Sequence, residues 1–296
     1  MNNKTGRIYK GVGGLYFVET ASGVVQCRAR GKFRLEKITP MIGDIAEVAP
    51  TEAGEGYIVE ILPRKNFFLR PPVSNLDKLV IIASAAPPVT DYFLIDRMAA
   101  VAINKGIEPI IVINKCDLNH ADMLYETYRL AGLKTVRASA ETGEGRAELL
   151  AALEGVISAF SGNSGVGKSS LLNMIAPRTN AEVGGLNEKI GRGRHTTRHV
   201  ELFRLENGAI VADTPGFSSF DSGEADKITT EELEHCFPEF ESYLGECRYT
   251  GCAHIKDAGC AVLAALKAGK IAKKRHESYC KMYDVAKSIK PWENKG

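Results

Sequence analysis

Long apolar runs are missing from these 296 residues: no uninterrupted stretch approaches the roughly twenty residues that cross a bilayer as a helix. The N-terminus, Met1-Asn2-Asn3-Lys4, lacks the apolar core of a secretory signal, so a cytoplasmic protein with no membrane attachment is expected. Net charge is nearly absent as well, because 38 Lys and Arg face 36 Asp and Glu and leave +2. That balance points to no partner by itself, and any basic surface has to be local. A disulfide pattern is also lacking. Seven cysteines is an odd count, and several are clustered, which suits metal ligation in a reducing compartment. What remains, 44% hydrophobic and 25% charged residues, is an ordinary globular composition with length for two or three domains.

The most informative stretch is Gly162-Asn163-Ser164-Gly165-Val166-Gly167-Lys168-Ser169, which fills every fixed position of G-x-x-x-x-G-K-[ST]. It lies between the apolar run Val156 to Phe160 and a helix-like run opening at Ser170-Leu171-Leu172, the strand–loop–helix context of a phosphate loop. Glycines let successive N–H groups converge on a phosphate, Lys168 would reach the β- and γ-phosphates, and Ser169 would offer its hydroxyl to Mg²⁺. Residues Gly162 to Ser170 are therefore the expected phosphate contacts. Asn114-Lys115-Cys116-Asp117 follows the buried-strand run Pro109 to Ile113 and reads as N-K-x-D, in which Asp117 accepts two hydrogen bonds from the N1–H and amine of guanine. Ser139-Ala140, after Leu133 to Ala138, would set a backbone N–H against the guanine O6. Asp213-Thr214-Pro215-Gly216 follows Ala209 to Ala212 and reads as D-x-x-G, with Asp213 on Mg²⁺ through water and the Gly216 N–H on the γ-phosphate. GTP or GDP with Mg²⁺ is the implied ligand pair.

The order of the motifs is permuted relative to Ras-like proteins, since N-K-x-D and Ser-Ala precede the phosphate loop. A site assembled from loops at one edge of a parallel sheet tolerates this, because only positions in space matter. Between the phosphate loop and Asp213, Gly184-Gly185 and Gly191-Arg192-Gly193-Arg194 read as a first switch, followed by His195-Thr196-Thr197. Either Thr196 or Thr197 could ligate Mg²⁺ when GTP is bound. His195 and His199 could position water, contact RNA or do neither. One group is lacking: where Ras places a Gln after D-x-x-G to orient water, this chain has Phe217. Slow intrinsic hydrolysis, completed by a partner, is expected. Asn is also absent from the fourth phosphate-loop position, held by Gly165, so a potassium requirement is not expected.

With its permuted order, its Gly165-Val166-Gly167-Lys168-Ser169-Ser170-Leu171, His195-Thr196-Thr197 and Asp213-Thr214-Pro215-Gly216-Phe217 segments, and a Cys/His cluster near the C-terminus, the chain resembles the bacterial ribosome small subunit-dependent GTPases, the RsgA family. It departs at Arg198, where many members carry a third Thr. The resemblance implies a GTP hydrolase stimulated by the small ribosomal subunit and acting in its late maturation, with the subunit, its rRNA and other assembly factors as partners. A monomer is expected. A nucleotide-regulated RNA-binding module and a translation-cycle GTPase on mature ribosomes are the alternative readings.

The fold expected is multidomain. Residues 1–66 read as five short strands, Gly6 to Tyr9, Leu15 to Glu19, Val24 to Arg28, Asp44 to Val48 and Gly56 to Ile61, which suit an oligonucleotide-binding (OB-fold) barrel. Arg28, Arg30, Lys32, Phe33 and Arg34 would give that barrel a basic loop with one stacking aromatic. Arg64 to Pro72 reads as a linker. Residues 67–222 alternate apolar strands and helices, including Lys78 to Ala85, Asp91 to Lys105 and Glu141 to Leu153, as a parallel α/β GTPase sheet requires. Residues 223–296 read as mainly helical, over Glu231 to Phe237, Ala261 to Ala268 and Lys270 to Lys290, the last with a basic face that includes Arg275 and His276. Within them Cys247, Cys252, His254 and Cys260 form C-x₄-C-x-H-x₅-C, a closed set of three thiolates and an imidazole for one structural zinc.

Overall fold

The computed structural model describes residues 3–36, 38–51, 55–176, 200–213 and 227–288, without the side chains of Arg34 and Asp213. The chain opens with β1 (Lys4–Val12), β2 (Leu15–Thr20) and β3 (Gly23–Ala29), a short α1 (Lys32–Leu35), then β4 (Ile45–Pro50) and β5 (Glu55–Ile61). Pairing runs β1-β2-β3-β5-β4, and β4 returns to β1, so the five strands close into a barrel. Alternate residues fill it: Ile8, Val18, Val25, Cys27, Ala46, Val48 and Ile58 are buried. Phe33 is buried too, packed into the core from α1, so it is not the stacking aromatic that the sequence suggested. Arg28, Arg30 and Lys32 around it are exposed.

The stretch expected as a linker is structured instead. It forms a hairpin, β6 (Phe67–Leu69) and β7 (Pro72–Ser74), whose Phe68 and Val73 are fully buried. Pro72 is tolerated as the first residue of a strand at a sheet edge. Asp44 secures the hairpin to the barrel, accepting hydrogen bonds from Arg64 Nε at 2.7 Å, Ser74 Oγ at 2.6 Å and the Met41 N–H at 2.7 Å.

A second layer structure follows: β8 (Lys78–Ser84), α2 (Tyr92–Asn104), β9 (Glu108–Asn114), α3 (Asp122–Leu130), β10 (Lys134–Arg137), α4 (Arg146–Leu153), β11 (Ile157–Ser161), α5 (Lys168–Ile175), β12 (Glu201–Arg204) and β13 (Ile210–Asp213). The order is β10-β9-β8-β11-β13-β12, parallel except for β12, which runs antiparallel to β13 and pairs on its other side with β1 of the barrel at Lys10 and Glu201. Both faces are covered, so the strands read as continuous apolar runs. Leu79, Ile81, Ala83, Ile111 and Ile113 face α2 and α3, while Val80, Ile82, Ile110, Val112 and Val136 face α4 and α5. The helix expected from Glu141 starts only at Arg146. Thr142 to Gly145 form a turn closed by Ser139 Oγ accepting from the Thr142 N–H, and Gly145 sits at φ 76° where a Cβ would strike the Arg137 carbonyl.

After β13 come α6 (Thr230–Leu233), 3₁₀ turns over Glu234–Cys236 and Pro238–Tyr243, α7 (Ala261–Lys267) and α8 (Lys273–Lys287). The helix expected over Glu231 to Phe237 is thus one short turn of α-helix running into 3₁₀. Thr229 and Glu232 form a capping box at its start. Phe237, Phe240, Val262, Ile271 and Tyr279 make a small separate core that rests on Ala100 of α2. Among the described residues no helix is long and apolar enough to cross a membrane.

Candidate nucleotide edge and metal centre

Parallel strands send their C-terminal ends to one edge, so β9 delivers Asn114-Lys115-Cys116-Asp117, β10 delivers Ser139-Ala140 and β11 delivers Gly162 to Ser170 side by side. Asn114, only 2% exposed, joins all three. Its Nδ2 donates to the Val166 carbonyl at 2.8 Å and its Oδ1 accepts from the Ala140 N–H at 3.2 Å. Gly167 lies at φ 92°, and a Cβ on it would collide with Asn114 Nδ2, so glycine is what lets this bridge form.

The phosphate loop is open to a ligand. Asn163, Ser164, Gly165, Ser169 and Ser170 are exposed, and Val166 anchors the loop from beneath. The N–H groups of Ser164, Gly165, Gly167, Lys168 and Ser169 make no bond to another described residue. A row of backbone donors at the start of α5, unused by the described residues, fits a polyphosphate. Asp117 is exposed, its carboxylate free to meet a base, while Ser139 is buried and Ala140 half-buried.

The loop between β8 and α2 was not singled out by any motif, yet it completes the rim. Lys115 Nζ donates to the Pro87 carbonyl at 2.9 Å, and Pro88 lies against Gly165, where a Cβ would sit 3.2 Å from Pro88 Cγ. Asp91 caps α2 directly behind it, accepting from the Phe93 N–H at 2.8 Å. Asp213 ends β13, its backbone paired with Glu201. Thr196, Thr197 and Gly216, with His195, His199 and Phe217, lie outside the described residues.

The second cluster is in the C-terminal core. One ligand atom from each of Cys247, Cys252, His254 and Cys260 lies within 4.8 Å of the others. Tetrahedral zinc with Zn–S of about 2.3 Å places two sulfurs about 3.8 Å apart. Here Cys247 Sγ is 3.9 Å from Cys260 Sγ, and His254 Nδ1 is 3.6 Å and 3.4 Å from those sulfurs. Donor set and spacing both fit a closed tetrahedral zinc shell.

The basic face expected on α8 loses two members. Lys273, Lys274, Lys281 and Lys287 are exposed, but Arg275 is 0% exposed and His276 is buried. Arg275 grips both carboxylate oxygens of Glu239, at 2.7 Å and 3.0 Å, and donates to Asp96 Oδ1 of α2 at 2.8 Å. Burial works against its charge, yet Glu239 and Asp96 outweigh that and hold the guanidinium above its usual range. Burial likewise keeps the Asp96 carboxyl above the usual carboxylate range in spite of Arg275. Composition gave no hint that this arginine is structural, because burial of one cation among many on a helix depends on which face the fold covers.

The description "RsgA GTPase" matches residues 61–223, and "RsgA N-terminal domain" matches residues 5–58. The chain is 46% identical over 282 residues to the small ribosomal subunit biogenesis GTPase RsgA of Caldanaerobacter subterraneus subsp. tengcongensis, covering 94% of each. It is 43% identical over 292 residues to the protein of that name from Geobacillus sp. (strain WCH70), covering 97% of this chain and 98% of that one. Among solved structures, YjeQ from Thermotoga maritima superposes with a TM-score of 0.80 at 33% identity, covering 98% of this chain and 100% of that one. YloQ, described as a circularly permuted GTPase, gives 0.80 at 35% identity, covering 98% and 97%. With its motif order, its strand-end geometry and these likenesses, the chain belongs to the RsgA family of circularly permuted GTP hydrolases.

Proposed function

We propose that this protein is a GTPase of small ribosomal subunit biogenesis, which binds the subunit, is stimulated by it, and leaves it on hydrolysis of GTP to GDP and phosphate. The observation that carries the nucleotide half is Asn114, buried and bonded to both the phosphate loop and Ala140, which sets the base-reading and phosphate-reading segments in one frame. In that frame Asp117 reads the guanine edge, the Ser139-Ala140 segment lies toward its O6 with the Ala140 N–H itself held by Asn114, and the loop from Gly162 to Ser170 cradles the phosphates, with Lys168 neutralising the β- and γ-phosphates. Ser169, Asp213 and one of Thr196 and Thr197 would hold Mg²⁺, which spreads charge off the γ-phosphate when bound. Gly216 would contact the γ-phosphate through its N–H. Phe217 leaves the attacking water without a side-chain partner at that position, so a bound partner completes the site.

The subunit half rests on the names of the relatives and on exposed cations on two modules: Arg28, Arg30 and Lys32 on the barrel, and Lys273, Lys274, Lys281 and Lys287 on α8. Such residues bind RNA phosphates with little sequence preference. The division at 66/67 and 222/223, one structural zinc, the monomeric state and the cytoplasmic location belong to the same proposal. Steady-state GTP hydrolysis with and without purified small subunits, with Lys168→Ala as the blank, tests it. Salt-sensitive stimulation by the small subunit alone is expected; an unchanged rate would remove the subunit from the account, and a need for both subunits would favour a translation-cycle role.

A further inference from the structure

His254 is 3% exposed, and its two ring nitrogens face different neighbours. Nδ1 is turned to the sulfurs of Cys247 and Cys260, while Nε2 lies 3.0 Å from Glu234 Oε2. Glu234 belongs to no motif in the chain and stands 20 positions before His254. It directly follows α6, the first described element after the D-x-x-G strand.

We propose that Glu234 is the positioning residue of the metal centre. A neutral imidazole carries one proton, and an acceptor at Nε2 keeps it there, leaving the Nδ1 lone pair for the metal. Other contacts hold the main chain of this loop: His276 Nε2 meets the His254 carbonyl at 2.7 Å, and the Tyr279 hydroxyl donates to the Ala253 carbonyl at 3.1 Å. They do not set the ring's proton or its rotation about Cβ. Phe240 packs edge-on to the ring at 6.1 Å between centroids, limiting the space but offering no polar partner. Glu234 Oε1 is 3.8 Å from His235 Nε2, too long for a hydrogen bond, so the bond to His254 is the one hydrogen bond that the Glu234 side chain makes among the described residues. The centre is thereby tied to the turn that follows α6, not only to its own loop.

The inference rests on reading the cluster as a zinc site, which the parent protein tests first: a full chain that binds no zinc overturns that reading before any variant is made. Given a zinc-loaded parent, competition with a chromophoric chelator measures affinity in Glu234→Ala and Glu234→Gln. Glu234→Ala is expected to bind zinc about 10- to 100-fold more weakly, and Glu234→Gln, whose amide oxygen still accepts from Nε2–H, to recover most of that loss. In the cobalt-substituted protein the tetrahedral absorption bands should shift in Glu234→Ala and stay in place in Glu234→Gln. The helical signal of α7 and α8 at saturating zinc serves as the folding control, and Glu234→Asp, which withdraws the acceptor by one methylene, replaces the alanine variant if that fails to fold. Parental zinc affinity in Glu234→Ala, or equal losses in Ala and Gln, would overturn the assignment.

Discussion

The nucleotide edge and the metal centre are both ligand sites, but they are built in opposite ways. At the nucleotide edge the donors are backbone N–H groups on exposed loops, and the frame beneath them is complete without ligand: a five-stranded parallel array, Asn114 bridging three loops, and Val166 buried under the phosphate loop. At the metal centre the donors are side chains, and the stretch from Gly245 to Gly259 that carries three of the four has neither helix nor strand. Its core is a handful of aromatics around Phe237, Phe240 and Tyr279. A ligand fits into the first frame, whereas in the second it takes the place of a core.

Stripping the metal is the largest way to break that comparison. Apparent zinc-binding energies in small metal-dependent folds run to about 10–16 kcal/mol, far above what this small aromatic core supplies. A strong chelator, or Cys252→Ser, is expected to open the chain between 245 and 260 to proteolysis and to lower the helical signal of α7 and α8. GDP affinity should stay within about twofold, because the two centres share no residues. Loss of GDP binding on chelation would show that the sheet depends on the C-terminal module.

Arg275 sharpens the same contrast, since it is where the metal-bearing module meets α2. Its removal in Arg275→Met leaves the Asp96 and Glu239 carboxylates buried without their cation, a defect that costs about 3–5 kcal/mol in buried ion pairs. Asp96→Asn should behave differently. A carboxyl held above its unfolded value by burial binds its proton more tightly in the folded chain, so its contribution to stability falls as pH rises through the carboxylate range. Replacing it by Asn removes that term, and the expected change near neutrality is within about 1 kcal/mol of zero, with a flatter stability profile at acid pH. Chemical denaturation of both variants across pH measures the difference.

At the nucleotide edge, Asn114→Ala is expected to leave the fold in place and loosen the ligand. It strands the Val166 carbonyl and the Ala140 N–H, each worth about 1–3 kcal/mol when buried without a partner, so GDP should bind about 100-fold more weakly. Equilibrium titration with fluorescent GDP reads this directly. An unchanged affinity would mean that the three loops keep their positions without the bridge.

Much of this was legible in the sequence, for physical reasons that differ by region. Phosphate and base contacts need particular residues at fixed local spacing, so Gly162 to Ser169 and Asn114 to Asp117 declare themselves, and strands buried on both faces appear as unbroken apolar runs. The metal ligands declare themselves by type and spacing. What stayed hidden depends on tertiary contact: the linker that proved to be a hairpin closed by Asp44, the loop at Pro87 and Pro88 that completes the rim, and the fate of Phe33 and Arg275, both buried where the sequence suggested a stacking aromatic and a member of a basic face. A helix or loop rich in cations does not reveal which of them the fold will cover.

The smallest predicted effect concerns the cations that the fold does leave outside. With Phe33 in the barrel core, the loop around it has charge without a stacking platform, so its contribution to RNA binding should be electrostatic alone. Each of Arg28, Arg30 and Lys32 that meets a phosphate releases a counterion, and its replacement by Ala should reduce the slope of log affinity against log salt by about 0.7–0.9. A stacked aromatic would behave otherwise, contributing about 1–3 kcal/mol per base that survives high salt. Subunit binding by the triple alanine variant, followed from low to moderate salt, separates the two. If the deficit vanishes as salt rises, the loop acts through charge; if it persists, a base contact exists on this face that Phe33 does not provide.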